Sequence, residues 1–206
     1  MRTLAGVLFT VLVLAAAPGQ AAGQTRFQLV PQAGFRLGGS FEDAETGAGR
    51  ELEEAASLGI ALELRVANDE RWWQLWYSRQ GSQVKTPDGN FDVAVEYLHV
   101  GGTAPISDEG RVHSYVAGGL GATRLSPSGQ GLDDATKFSA SLGLGLAVPL
   151  SGRAALRIEA RGYLTLVDSE TSIFCSSNFG TGACRIVATG SSLFQAELTI
   201  GLAFGF

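Results

Sequence analysis

The final segment of the chain, Leu193 to Phe206, alternates regularly between apolar side chains and small or polar ones. A period of two over this length predicts a β-strand with one apolar face and one polar face. The chain stops on Phe206, in register with the apolar face. A strand that closes a barrel in lipid has no free edge, and aromatic residues favour the membrane interface, so this segment favours a membrane barrel. The apolar face carries Phe194, Ala196, Leu198, Ile200, Leu202, Phe204 and Phe206.

Seven further segments have the same period, at 26–38, 56–66, 71–84, 91–103, 111–125, 137–150 and 154–167. The facing of the glycine-rich segment 111–125 is ambiguous. Short polar links at 67–70, 106–110 and 151–153 alternate with longer polar connections. The sequence therefore predicts an all-β protein, an eight-stranded antiparallel up-and-down transmembrane β-barrel. In that layout the short turns and both termini face the periplasm.

The N-terminal segment has the features of a secretory signal peptide. Arg2 precedes an apolar run from Leu4 to Ala17, and small residues follow Pro18. Cleavage after Ala21 or after Gly23 fits the preference for small residues. With the later cut, we predict a signal peptide at 1–23 and one barrel domain at 24–206.

The faces opposite the apolar ones carry charges of both signs. An eight-stranded barrel is only just wide enough to be filled by side chains, and an unpaired buried charge is costly. On the lipid side an arginine costs roughly 2–4 kcal/mol near the bilayer midplane. We therefore predict that the charges pair inside the lumen and plug it, which argues against an open channel. The predicted lumenal ion-pair network is Arg36, Glu63, Arg65, Glu96, Arg157, Glu159, Arg161 and Glu197.

Charge and cysteine content narrow the function further. The formal net charge is −5 at pH 7 without a basic stripe, which argues against nucleic acid as a partner. Cys175 and Cys184 lie between the last two strands, and in an oxidising exported compartment we expect them to form a disulfide. A metal or redox pair is the rival interpretation, but the spacing is too wide for a C-x-x-C motif.

Several stretches of the sequence resemble one family. They are Gly34–Asp43, Leu75–Gln80, Tyr97–Gly102, Gly118–Thr123 and the terminal Phe206. The chain resembles the small eight-stranded outer-membrane barrels of the OmpA/OmpX type and uncharacterised proteobacterial barrels of this kind. The resemblance implies a location in the bacterial outer membrane and insertion by the barrel-assembly machinery, with Phe206 as the assembly signal.

The sequence predicts no catalytic, cofactor-binding or metal-binding set. The two histidines, His99 and His113, fall near the short-turn ends of their predicted strands. Lipid A deacylases, which resemble this scaffold, use a histidine and a serine on the outward face. His113 and Ser114 are adjacent in a strand and point to opposite faces, so they cannot form a nucleophile–base pair.

The long loops are the candidate recognition surface. The first, 41–54, is acidic, and the last, 168–192, contains both cysteines. The expected partners are outer-membrane lipid and lipopolysaccharide, the assembly machinery during insertion, and an extracellular partner of the loops. We expect a monomer.

The leading hypothesis is a non-enzymatic outer-membrane barrel with a plugged lumen, which supports envelope integrity or presents its loops to a partner. Three alternatives stay open. They are a narrow pore or transporter, a lipid A-modifying enzyme, and a soluble periplasmic barrel that binds an apolar ligand.

A membrane barrel of this size should resist detergent until it is boiled. We therefore expect the purified protein to migrate differently on a gel before and after heating. Migration that is the same with and without heating would contradict the membrane-barrel assignment.

Overall fold

The computed structural model describes residues 26–42, 49–67, 69–84, 91–107, 110–128, 134–166, 172–176, 183–187 and 192–206. These residues form the strands β1 (Phe27–Leu37), β2 (Ser40–Glu42), β3 (Gly49–Glu51), β4 (Ala55–Arg65), β5 (Trp72–Val84), β6 (Phe91–Ser107), β7 (His113–Pro127), β8 (Ala135–Ser151), β9 (Ala154–Leu166), β10 (Ser172–Ser176), β11 (Ala183–Val187) and β12 (Ser192–Gly205). The predicted signal peptide at 1–23 lies outside the described residues.

Eight of these strands close into one barrel in the order β1, β12, β9, β8, β7, β6, β5, β4. All neighbouring pairs are antiparallel, which confirms the predicted up-and-down barrel. The predicted strands match those of the barrel with small shifts at their ends. The remaining strands form two small antiparallel hairpins, β2–β3 and β10–β11, inside the long connections. The sequence pattern did not predict these hairpins, because strands of three to five residues are too short to show an alternating period.

The barrel closes between its first and last strands. Phe35 lies opposite Leu198, and Arg36 lies opposite Glu197. The pairing continues to the C-terminal residue, since the Phe206 amide donates to the Phe27 carbonyl at 2.9 Å. With β1 and β12 paired, the barrel sheet has no free edge, which is what a sheet surrounded by hydrocarbon requires.

The two ends of the barrel differ. We call one the turn end, because it carries the connections 66–71, 108–112 and 152–153 together with Arg26 and Phe206. We call the other the loop end, since the four longer connections leave from it. At the turn end the register shifts between Pro105 and Ser107 and again between Pro149 and Ser151. Proline has no amide hydrogen to donate, so it is found where a ladder is interrupted.

The first turn is held by a charged pair. The Arg71 side chain donates from Nε to Asp69 Oδ2 at 2.6 Å, and its backbone amide donates to Asp69 Oδ1 at 3.1 Å. This hydrogen bonding to Arg71 lowers the pKa of the Asp69 carboxyl below its ordinary value. The Asp69 carboxyl therefore stays ionised, and paired with Arg71, in mildly acidic solution.

The outer wall of the barrel is apolar. Leu142, at mid-barrel on β8, is 68 % exposed, and Leu144 and Leu146 beside it are exposed as well. Ser139 and Ser141, on the opposite face of the same strand, are buried. Water would not stabilise such a wall, whereas hydrocarbon would. Among the described residues, no helix is long and apolar enough to cross a membrane.

At the loop end of β6, the apolar side chains face the lumen and the charged ones face outward, opposite to the expectation for Glu96. Val93, Val95 and Tyr97 are buried in the lumen. Asp92 and Glu96 alternate with them and therefore lie on the outer wall. The facing of β7, which the sequence left ambiguous, is also settled, since its buried side chains point inward. These are Tyr115, Ala117, Thr123 and Leu125.

The depth of an outward residue in the bilayer should determine how strongly an arginine at that position destabilises the barrel. Leu142 lies at mid-barrel, whereas Leu150 lies on the same face of β8 beside the Gly152–Arg153 turn. We expect Leu142→Arg to lower the free energy of unfolding from lipid vesicles by about 2–4 kcal/mol and Leu150→Arg by about 1 kcal/mol or less. Denaturant titration in vesicles measures both. Equal losses would contradict the placement of this wall in hydrocarbon.

Candidate functional site

The lumen is filled by charged and polar side chains. We use the name lumenal network for the six buried charged residues that the described part of the chain places there. They are Arg36, Glu63, Arg157, Glu159, Arg161 and Glu197. These charges balance in sign, which the burial of ionised groups requires.

The part of the network nearest the turn end is a bidentate ion pair between Arg157 and Glu63. Arg157 donates to Glu63 through both terminal nitrogens, at 2.7 and 2.8 Å. It also donates to Gln28 at 2.9 Å, and Gln74 donates to Glu63 at 2.9 Å. Arg157 and its acceptors thus connect β9 with β1 and β4, and Gln74, which donates to Glu63, adds β5.

The next pair along the axis is Arg161 with Glu159. Arg161 Nε donates to Glu159 at 2.6 Å, and another of its nitrogens donates to Gln74 at 2.7 Å. Gln74 therefore connects the two arginine–glutamate pairs. Tyr115 of β7 donates to Glu159 of β9 at 2.9 Å, over the intervening strand β8. Its ring passes directly over Gly145, where a Cβ atom would overlap it, so this position of β8 requires glycine.

The third pair, Arg36 with Glu197, lies closer to the loop end. Glu197 accepts from Arg36 at 3.1 Å, from Ser78 at 2.9 Å and from Tyr163 at 2.5 Å. Tyr163 in turn accepts from Trp76 Nε1 at 2.9 Å. A carboxylate with this many donors is held in one orientation.

Aromatic rings support the Arg36 guanidinium. The rings of Tyr97 and Tyr163 stack with centroids 4.0 Å apart, and the Arg36 guanidinium lies 4.8 Å from the Tyr97 centroid. The guanidinium of Arg161 lies in the same way 4.6 Å from the Trp76 ring. These cation–π contacts partly replace the water that the arginines lose on burial.

His99 lies in the lumen at the middle of β6, so the prediction that it falls near the turn end is wrong. Its ring nitrogens contact Ser139 Oγ and Ser141 Oγ, each at 2.8 Å. Gly121 leaves the space that the His99 ring fills, since a Cβ atom there would approach both the ring and the backbone. Because each ring nitrogen is engaged by a serine hydroxyl, the imidazole is a structural cross-link between β6 and β8.

An apolar cap closes the lumen at the loop end. It consists of Leu52, Val93, Val95, Leu125 and Leu193, all of which are buried. The Leu52 amide donates to the Gly39 carbonyl at 2.9 Å and so fixes the segment after β3 over the mouth. Sequence reasoning missed this cap, because it treated apolar positions as lipid-facing along the full length of each strand.

The turn end of the lumen opens into a shallow cavity of about 530 Å³. It is bounded by Arg65, Trp72, His113, Tyr115 and Arg157. Arg65 donates from Nε to the Asp69 carbonyl at 3.0 Å, and its guanidinium lies 5.9 Å from the Trp72 ring. These contacts place Arg65 at the rim of the lumen, with the first turn, and not among the buried ion pairs of the lumenal network.

The assignment of Glu96 to the lumen is also wrong. Glu96 lies on the outer wall, where Tyr77 donates to it at 2.7 Å and an Arg79 nitrogen lies 3.5 Å away. In the strand register, Glu96 lies directly between Arg79 on β5 and Arg124 on β7. The physical reason is that outward residues near the loop end reach the polar edge of the bilayer, where a charge is tolerated.

Several uncharged side chains of the lumen were not predicted as partners of the ion-pair network, although their position in the period puts them on the same face. Tyr163 shares its face with Arg161, Gln74 lies opposite Glu63, and Gln195 shares its face with Glu197. Gln195 accepts from Tyr97 at 2.8 Å and donates to the Gly38 carbonyl at 3.1 Å. Counting every second residue from a known lumenal charge would have found them.

Two predictions about single residues stay predictions. Cys175 lies directly opposite Cys184 in the β10–β11 pair, a register that is compatible with the predicted disulfide. The Phe206 amide pairs with β1 just beyond the end of β12. Its role as an assembly signal stays a prediction. Within the described residues, no group of three or more His, Cys, Asp or Glu side chains could hold a metal ion.

Glu197 and Glu96 provide a direct comparison of a lumenal and an outer-wall carboxylate. Glu197→Gln leaves the buried Arg36 without its counter-charge, so we expect a loss of about 3 kcal/mol or more in the free energy of unfolding. Glu96→Gln removes a partner of an exposed arginine, so we expect about 1 kcal/mol or less. Denaturant titration of both variants in vesicles decides, and losses of similar size would contradict the two placements.

The outer membrane protein β-barrel domain profile matches residues 7–204. No curated protein sequence matches the chain. Among solved structures, the fold is similar to that of Neisserial surface protein A (NspA), with a TM-score of 0.58 and 15% sequence identity over 87% of this chain and 97% of that one.

A second similar structure is the outer membrane protein OprG from Pseudomonas aeruginosa. Its TM-score is 0.52 with 13% identity, and the match covers 89% of this chain and 98% of that one. At such low identity these two structures support the fold, while the family follows from the profile that spans almost the whole chain. The chain therefore belongs to the outer membrane protein β-barrel domain family and lies in the bacterial outer membrane.

Proposed function

We propose that this protein is a closed, non-enzymatic barrel that serves the outer membrane through its external surfaces rather than by transport. The observation that carries the proposal is the filled lumen. The lumenal network occupies it from Glu63 to Arg36, and the apolar cap covers its mouth at the loop end.

A solute crossing the barrel would have to separate these ion pairs. Each pair is buried and has further hydrogen bonds, so opening one leaves charges without partners in a medium of low dielectric. The apolar cap adds a second barrier of different chemistry, because ions would lose water there. Both barriers favour a rigid scaffold over a narrow pore.

The cavity at the turn end is the one observation that favours a pore. It opens to one side of the membrane and is lined by Arg65 and His113 as well as Arg157. It ends, however, at the Arg157–Glu63 pair, whose nitrogen–oxygen distance is 2.7 Å. The cavity is therefore a vestibule without a continuation.

A lipid-modifying activity finds little support in the placement of His99. The side chain is 1 % exposed and lies inside the barrel, whereas lipid contacts only the outer wall. Both of its ring nitrogens are engaged by Ser139 and Ser141. A general base needs a free nitrogen within reach of its substrate.

The loop end offers a surface for interaction. β2 lies beside β11 there, so the first and last long connections meet although they are distant in sequence. The connection between β1 and β4 is rich in acidic residues, with Glu42, Glu51 and Glu53 among them. Loops fixed on a rigid barrel are common sites of recognition.

Conductance in planar bilayers tests the closed lumen. We expect no steady single-channel openings from the wild-type protein. A triple variant, Arg36→Ala with Glu197→Ala and Leu193→Ala, removes one ion pair as a unit and thins the apolar cap. Because the Arg157–Glu63 and Arg161–Glu159 pairs still fill the lumen, we expect this variant to stay closed as well. Steady openings of the wild-type protein would overturn the proposal.

Complementation separates the two external roles. A strain that lacks the protein would be given either the wild-type chain or a chain in which 172–187 is replaced by a Gly/Ser linker. If the barrel alone restores resistance to detergent, the role is in envelope integrity; if only the intact loop restores the phenotype, the role is in surface interaction. Restoration by neither chain would contradict both external roles.

A further inference from the structure

The outer wall carries a charged patch near the loop end, which we call the interfacial patch. Among the described residues it consists of Arg79, Glu96 and Arg124 on three neighbouring strands, together with Tyr77 and Asp134. Neighbouring strands lie about 4.8 Å apart, so the backbones of Arg79 and Arg124 are separated by about 10 Å. The patch faces away from the lumen and was not predicted.

The patch lies where the apolar wall ends. On β6 the outward residues from Leu98 to Ile106 are apolar, and Glu96 comes next towards the loop end. On β7 the apolar outward positions end at Ala122, just before Arg124. A charge at the bilayer midplane is costly, whereas the same charge near the interface costs little. The patch therefore lies at the level of the lipid headgroups.

The patch is confined to one side of the barrel. At the loop ends of β1, β8, β9 and β12, the outward residues are apolar. They are Leu37, Phe138, Leu166 and Phe194. The charged face of β5, β6 and β7 is thus a local feature of the wall and not a ring around the whole barrel.

The two arginines retain donors that face the membrane. The side chains of Arg79 and Arg124 are 60% and 57% exposed. Glu96 already accepts from Tyr77 at 2.7 Å, and its distance to Arg79 is a loose 3.5 Å. Arg124 also donates to the Asp134 carboxylate. A guanidinium has five donors in a planar fork, of which the single carboxylate beside each arginine engages only part. That fork matches the oxygens of a phosphate.

We propose that the interfacial patch binds the phosphate-bearing headgroup of a lipid in the leaflet at the loop end, with Arg79 and Arg124 as its ligands. The lipid's acyl chains would lie along the apolar wall below, beside Leu98 and Leu120. Glu96 lies between the arginines and holds Arg79 in place when no headgroup is bound. This site requires only that the barrel spans the membrane, so it does not depend on whether the lumen is closed.

Spin-labelled lipids test this site. The protein is reconstituted in phosphatidylcholine vesicles that contain a trace of spin-labelled phosphatidic acid or of spin-labelled phosphatidylcholine. The motionally restricted fraction of each label gives the relative association. Two exposed charged contacts predict a preference of the wild-type protein for phosphatidic acid of about fivefold.

Matched variants separate this site from a general effect of charge. We expect Arg79→Gln with Arg124→Gln to reduce the preference to about onefold. The control is Arg71→Gln with Arg111→Gln, which removes the same charge at the turn end and should leave the preference at about fivefold. A wild-type protein without preference, or an equal loss in the control, would overturn the proposal.

Two further measurements keep the test decisive if the double variant folds poorly. Glu96→Gln removes the competing carboxylate, so we expect the preference to rise by about twofold, and a fall would overturn the proposal. Inorganic phosphate at matched ionic strength should leave the restricted fraction unchanged. Displacement of the lipid by inorganic phosphate would show a site for free anions instead. Gel migration before and after heating monitors folding of every variant.

Discussion

The inability of hydrocarbon to solvate a charge or an unpaired backbone group determines most of this structure. Because every backbone donor within the bilayer must be paired, the sheet closes on itself through β1 and β12. Because charges cannot face the acyl chains at mid-height, they lie inside, where they must find partners in one another. Closure and lumenal pairing are thus two consequences of the same solvent.

The lumen has three regions with different chemistry along its axis. A vestibule at the turn end is polar and open, the lumenal network fills the middle, and the apolar cap closes the loop end. The network connects strands that are remote in sequence, since Arg36 and Glu197 come from the first and last strands of the barrel. A barrel that is cross-linked in this way is suited to holding external loops in fixed positions. This is consistent with a role at the membrane surface.

The interfacial patch shows how the same constraint weakens towards the edge of the bilayer. Outward positions that are leucine or valine at mid-barrel are replaced by arginine and glutamate within a few residues on β5, β6 and β7. The inward positions of β6 change in the opposite sense, from His99 to Val95 and Val93. The polarity of both faces therefore depends on height, and a strand that is longer than the membrane is thick contains both patterns.

The sequence by itself determined the strand period, the positions of the short turns and the placement of most charges. Arg157, Glu159 and Arg161 are lumenal because they alternate with leucine, isoleucine and alanine on a strand that lies within the bilayer. Only the tertiary structure decided where each strand crosses the edge of the membrane, and so placed Glu96 outside and Arg65 at the rim. It also decided which side chains meet across the lumen, such as Trp76 with Tyr163 and Tyr97 with Gln195. The period of a strand depends on neighbouring residues alone, whereas height and cross-lumen contacts depend on the register of all eight strands together.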